Sequence, residues 1–348
     1  MEIKQKPTIV FVQTAFIGDL FLSLPTINRL RQLYPDFHLM LVCKKGLSEY
    51  FVQKGFVDHA IEVEKGDGSS YQNATKILNT MNIHFVFCVH KSLRSALFVR
   101  SLKAHKKIGF KRFLSFLFFT HTASYLKKYP DVIRQLNILS PVDADVARDV
   151  QLKDWSYLNF KQESNGLFPS IPDFFSFGKK SQPSRKMKVG IFPGSVWATK
   201  KWTVEGFSKV TEHLISKGYQ VFLMGAPAEK DVCQQIHQAN PQAVDLSGQL
   251  KLADSIEQIQ NFDFIVCNDS APAHMAASQQ IPSLVIFGPT TLNLGFRPWL
   301  DQSIVVENEN LNCRPCGAHG PKVCPLGHHN CMKTVTADQV IQKLGLFT

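Results

Sequence analysis

Residues 262–290 constrain the fold more tightly than any other stretch of the chain. Phe262–Val266 (FDFIV) is an apolar run of strand length, Cys267–Pro272 is a polar turn, and His274–Ser278 (HMAAS) has helix-like composition. A second apolar strand, Ser283–Phe287, then runs into the turn Gly288-Pro289-Thr290. Polar turns that leave the carboxyl ends of strands are where open α/β sheets place ligands, and the next helix points its free N–H groups at them. Asp269, Ser270 and His274 then face a ligand, unless Asp269 or Ser270 only caps the helix. Gly288 and Thr290 stand in the next turn along the same sheet edge.

The same alternation fills the rest of the chain and predicts an α/β protein with two doubly wound halves. In the first half, Pro7–Gln13, His38–Cys43, Ala60–Val63 and Phe85–Val89 read as strands, and Tyr71–Met81 as a helix. Asp19 opens an apolar-periodic helix over Asp19–Tyr34. A carboxylate there caps the helix and is held ionised by its dipole, and an ionised carboxylate is also what a general base needs. In the second half, Lys188–Phe192 is a strand followed by Pro193-Gly194-Ser195, then Lys200 and Lys201, then a helix near Thr203–Lys217. Small residues in such a turn let the backbone approach a phosphate, and nearby ammonium groups supply countercharge; solvated lysines beside an ordinary turn are the alternative. Tyr219–Met224 is a strand ending at Gly225, with helices over Glu229–Ala239 and Leu252–Asn261 and a closing helix over Thr336–Leu346. Between the halves the chain turns Ser-, Pro-, Gly- and Lys-rich, which predicts domains over 1–165 and 187–348 joined by a linker over 166–186.

With 39 Lys and Arg against 28 Asp and Glu, the net charge of +11 calls for an anionic partner. The excess concentrates in His90–Arg134, where Asp131 is the single acid. Within it Phe113–Phe119 (FLSFLFF) is too short to cross a bilayer. It reads either as a segment lying in a membrane interface or as a core helix with a solvated basic rim. Nucleic acid is disfavoured, because zinc-finger spacing, an RNP-like motif and a helix-turn-helix are all missing. With neither a signal peptide nor a membrane span in evidence, the expected compartment is the cytosol.

Of eight cysteines, four crowd together: Cys313-x2-Cys316, Cys324 and Cys331. The CxxC pair makes a structural zinc conceivable, but the second half is not a clean C-x2-C, so a purely structural cluster is the default and no metal is expected at the active site.

Several of these segments together resemble the bacterial heptosyltransferases, family 9 of the glycosyltransferases. D-S-A-P-x-H followed by F-G-P-T is similar to the family's donor-site signature, with Ala271 where Gly is more common. I-G-D-L-x-L-S-L-P is similar to its N-terminal motif, P-G-S with K-x-W to its phosphate loop, G-A-P-x-E to its nucleotide turn, L-x-G at Leu246–Gly248 to its approach to the donor strand, and C-P-L-G-H-H-x-C-M to the C-terminal segment of heptosyltransferase II-like members. The resemblance implies a GT-B fold, two Rossmann-like domains facing a cleft. It implies an inverting transfer from ADP-heptose to a lipid A-Kdo or lipopolysaccharide core acceptor at the inner face of the inner membrane, with no cofactor required. Asp19 is then the catalytic base and Lys200 the cation on the leaving diphosphate. Gly194, Ser195, Gly225, Glu229, Asp269, Ser270, Ala271, His274, Gly288 and Thr290 hold the donor. Gly18, Arg94, Lys107, Lys111 and Arg112 meet the acceptor. The same fold with another donor sugar or glycan, and a non-catalytic binder of anionic lipid or polymer, are the alternatives.

Overall fold

A computed structural model describes residues 6–152, 186–300 and 302–346. The chain divides into two compact units, Met1–Trp155 and Ser156–Thr348. The linker expected over 166–186 falls, but for its last residue, outside the described residues.

The first unit carries β1 (Thr8–Gln13), β2 (His38–Lys44), β3 (His59–Val63), β4 (Ile83–Cys88), β5 (Ala104–Phe110) and β6 (His121–Ala123). They form one sheet in the order β3-β2-β1-β4-β5-β6, with every pairing parallel. The second unit carries β7 (Lys188–Phe192), β8 (Gln220–Leu223), β9 (Val244–Asp245), β10 (Phe264–Asn268), β11 (Ser283–Phe287) and β12 (Ile304–Glu307). Its parallel order is β12-β11-β10-β7-β8-β9. Counted within each unit both sheets run 3-2-1-4-5-6, the doubly wound Rossmann order. The order reverses between β1 and β4 and again between β7 and β10, and such a reversal point is where sheets of this order bind their ligands.

Helices on both faces explain why the central strands are apolar throughout. All of β1 is buried, and Val10, Val12, Met40, Val42 and Val86 pack with Phe98 from a covering helix. In the second unit Ile191, Val266, Leu284 and Ile286 pack against Phe207 and Met332.

Two local expectations change. The helix expected over Asp19–Tyr34 is two helices, Ile17–Leu22 and Leu24–Leu33, joined at Ser23. Pro25 lies in the first turn of the second, and a continuous helix would lose its N–H and clash with the carbonyl four residues back. Asp19 is therefore the third residue of a helix instead of its opener. Phe113–Phe119 is not a core helix. It is a loop around a single 3₁₀ turn, Ser115–Leu117, preceded by Leu114 in the left-handed region at φ 59°. The closing helix, Ala337–Leu344, starts where expected: the Thr336 hydroxyl accepts from the Gln339 N–H while Gln339 reaches back, a capping box. Among the described residues no helix is long and apolar enough to cross a membrane.

Candidate active site

In the first unit the reversal point gathers the loops that leave β1 and β4. Asp19 Oδ2 accepts the N–H of Phe16 at 3.2 Å, so the carboxylate does cap its helix. The capping does not leave it at its ordinary acidity. Burial, and then the Asp131 carboxylate, raise Asp19 from 3.8 to about 6, against the Phe16 N–H and Lys91. A carboxylate at that value is mostly ionised at neutral pH yet basic enough to accept a proton, the compromise a general base needs.

Asp131 is legible in the sequence only as the lone acid of a basic stretch, and the structure brings it close enough to Asp19 to act on its charge. It is 5% exposed. It accepts from the Tyr125 hydroxyl at 3.0 Å and from Gln135 Nε2 at 2.7 Å, with Arg134 at 3.7 Å. The Lys91 ammonium lies 3.5 Å over the Tyr125 ring. Ser23 and Gln13 both hydrogen-bond Gln135, tying the helix of Asp19 to the helix Asp131–Leu136. His90 Nδ1 meets Thr14 Oγ1 at 2.7 Å, closing the loop of β1 onto β4. Because Asp131 disfavours the charged form of Asp19, Asp131→Asn should lower the pKa of Asp19. The acid limb of the rate against pH then moves to lower pH; an unmoved limb would remove Asp131 from this role.

The five acceptor candidates do not converge. Gly18 is buried beside Asp19, and Lys111 and Arg112 leave the carboxyl end of β5, where Arg112 donates to the Lys91 carbonyl. Arg94 instead lines a groove of about 560 Å³ with Tyr71, Thr75 and Phe98. Lys107 lies within β5, and its ammonium donates to the carbonyl of Arg100 at 2.9 Å, at the far end of a helix from Asp19.

In the second unit Lys200 Nζ stands 2.6 Å from Asp269 Oδ2, and the same oxygen accepts the Thr290 hydroxyl at 2.6 Å. All three residues are buried. The expected free countercharge is thus one arm of a buried ion pair. An ammonium has three donors, so Asp269 occupies one and aims the rest. Asp269 does not cap the helix Ala271–Ser278, whose N-cap is Ser270 and which receives no side-chain cap. Ala271 and Pro272 open that helix, and His274 in its next turn stacks on Trp299 at 5.9 Å and 7°. Ser195 is buried, and its hydroxyl accepts the Trp197 N–H at 3.2 Å.

Asn268 carries no distinguishing signal in the sequence, yet it joins the two loops. Its amide donates to the Pro193 and Gly194 carbonyls at 2.8 and 3.3 Å and accepts the Trp202 N–H at 3.0 Å. Glu229 folds back on Ala226 N–H at 2.9 Å and lies directly over Gly194, where a Cβ would meet its Oε1 at 1.8 Å. Gly225 is also under Glu229, with 3.1 Å to its Cβ. Gly194→Ala must therefore expel the Glu229 carboxylate, and should weaken nucleotide binding by about tenfold or more. Calorimetry reads this, and unchanged affinity would remove Glu229 from the nucleotide site.

The cysteine-rich segment braces the same loops. Arg314 donates to the carbonyls of Gly288 and Thr290 and pairs with Glu307; the Cys316 N–H donates to Pro289 at 2.7 Å. His329 Nε2 meets the Thr199 carbonyl at 2.7 Å, and the Met332 side chain fills the space over Gly288. Cys313, Cys316, Cys324 and Cys331 are free thiols. The Cys324 thiol is drawn below its ordinary pKa, chiefly by the His329 N–H. Among the described residues no group of three or more His, Cys, Asp or Glu is placed to hold a metal ion.

Two Rossmann-type units, one with a half-buried carboxylate of raised pKa at its reversal point and the other with a buried lysine–aspartate pair beside a helix N-terminus, fit a glycosyltransferase of the GT-B type. The chain belongs to glycosyltransferase family 9 (heptosyltransferase), whose model matches residues 74–325. It is 24% identical over 335 residues to lipooligosaccharide heptosyltransferase 2 of Campylobacter jejuni, covering 94% of each chain. Its fold is similar to that of Escherichia coli ADP-heptose lipopolysaccharide heptosyltransferase II, at a TM-score of 0.73 and 19% identity over 98% of each chain. It is also similar to the Escherichia coli heptosyltransferase WaaC with ADP, at a TM-score of 0.72 and 17% identity, covering 98% of this chain and 100% of that one.

Proposed function

We propose that this glycosyltransferase moves heptose from ADP-heptose to the inner core of lipopolysaccharide, inverting the anomeric carbon. The observation that carries the reading is Asp19, partly buried at the reversal point of the first sheet with its pKa raised to about 6. The Asp19 carboxylate takes the proton of an acceptor hydroxyl while that oxygen bonds to the anomeric carbon. The bond from that carbon to the diphosphate breaks, and ADP leaves with the electron pair. Lys200, Ser195 and the N-terminus of the helix Ala271–Ser278 stabilise the departing charge, so no divalent cation is called on. Membership of family 9 and relatives named for lipooligosaccharide heptosyl transfer support the sugar and the acceptor. A lipid-linked acceptor puts the enzyme against the inner face of the inner membrane, with no nucleic-acid partner.

Calorimetric titration with ADP, UDP and GDP in the presence of EDTA tests the donor. The expected result is selective binding of ADP. Preference for UDP or GDP would keep the fold and overturn the heptose donor, and binding of none would overturn the reading.

A further inference from the structure

The loop between β5 and β6 exposes large apolar side chains in a way that its own backbone enforces. Phe113 is 92% exposed, Phe116 72%, Leu117 45% and Leu114 41%. Short-range bonds fix the loop: Ser115 N–H to the Arg112 carbonyl and Leu117 N–H to Leu114 at 3.1 Å, and Phe118 and Phe119 N–H to Ser115 at 3.0 Å. Leu114 takes the left-handed conformation, which leucine avoids, and the buried Ser115 anchors the turn inward. The Phe119 ring closes the base by lying on Gly109, where any Cβ would come within 2.4 Å. The chain thus uses a strained residue and an obligatory glycine to hold apolar side chains in water.

We infer that this loop is a wedge that seats in the surface of an anionic bilayer. It is flanked along the chain by basic residues that are themselves exposed, Lys111 and Arg112 before it and, beyond β6, Lys127 and Lys128. Arg112 ties it through the Lys91 carbonyl to the start of the helix Leu93–Ser101, where Leu93 and Leu97 are also exposed, 65% and 50%, beside Arg94. A second copy of this chain would bring like charge to the contact, and four side chains at a loop tip fall well short of the roughly 1,200 Å² that a stable protein interface buries. Anionic headgroups over an apolar layer satisfy both halves of the surface, with the aromatic rings at the boundary and the cations among the phosphates. The wedge leaves the same sheet edge as Asp19, since β1 and β5 are parallel members of one sheet and Lys91 is common to both surroundings. A membrane-anchored acceptor is then presented to the base by the surface that binds the enzyme. This purpose rests on the lipid-linked acceptor proposed above; membrane binding itself does not.

The test is flotation of the full chain with vesicles of phosphatidylcholine, alone or mixed with phosphatidylglycerol, alongside ADP titration of the same samples. Wild type should float with the mixed vesicles and not with phosphatidylcholine alone. The variant Phe113→Asp/Phe116→Asp should bind mixed vesicles about tenfold more weakly or worse, with its ADP affinity and circular dichroism unchanged. No flotation of wild type, equal flotation of the variant, or equal binding to neutral vesicles overturns the wedge and leaves the donor reading intact. A dimer in wild type that the variant dissociates on gel filtration overturns it in favour of self-association. Loss of ADP binding in wild type strikes the donor reading, whatever the vesicles show.

Discussion

Asp19→Asn loses transfer by on the order of 10²–10⁴-fold, keeps its affinity for ADP, and unfolds at a higher temperature than wild type at neutral pH. The last effect comes from the sign of the pKa shift. The folded chain holds the Asp19 proton more tightly than a free carboxyl does, about 6 against 3.8. Folding is therefore favoured by this group below about pH 4, and that contribution is lost as pH rises through 6. Asparagine keeps an acceptor for the Phe16 N–H and never ionises, so it removes the loss. A shift of about two units corresponds to at most ~3 kcal/mol, and partial solvation reduces it. The gain in stability should vanish when both proteins are melted near pH 4. Loss of activity with gain of stability is what a residue held ionised for its chemistry gives, and what a residue kept for capping does not. In wild type the same value sets the acid limb: kcat/KM should fall about tenfold per pH unit below pH 6.

The second large effect is at Lys200. Lys200→Ala should cut transfer by on the order of 10²–10³-fold, because a preorganised cation at the leaving group is removed. It also leaves Asp269 buried with only the Thr290 hydroxyl as partner, a loss of about 3–5 kcal/mol when one side of a buried pair is deleted. The two consequences separate in the double variant Lys200→Met/Asp269→Asn. Its melting temperature should recover much of the loss while its transfer rate does not. Recovery of both would mean that Lys200 serves the fold and has no part on the diphosphate.

Much of this architecture is legible because a parallel sheet covered on both faces writes its strands as short unbroken apolar runs, as in Thr8–Gln13 and Ser283–Phe287. The turns at β7, β10 and β11 are legible for the same reason: each apolar run stops at small and polar residues. Side-chain pairing across the reversal point leaves no such trace. Asp131 reaches the neighbourhood of Asp19 from more than a hundred residues away, and the basic stretch around it masks its burial. Lys200 reads either as the cation of a phosphate loop or as a solvated lysine beside Lys201, and only the meeting of two loops shows it buried against Asp269. Phe113–Phe119 misleads because hydrophobicity without a clear period fits a helix or a loop equally. Gly109 and Leu114 decide it, and neither carries a local signal. Gly194 reads as a phosphate-turn glycine, whereas the contact that forbids a side chain there comes from Glu229.

Heptosyl transfer that depends on both Asp19 and Lys200 is read most plainly in its product. Purified wild type, Asp19→Asn and Lys200→Ala would each be incubated with ADP-heptose and a heptose-deficient core acceptor. Release of ADP, the mass of the acceptor and the anomeric configuration of the new linkage would be recorded. One heptose added with inversion by wild type, with transfer by both variants reduced at least a hundredfold or so, is the predicted result. Transfer with retention, or an undiminished rate in Asp19→Asn, would contradict it.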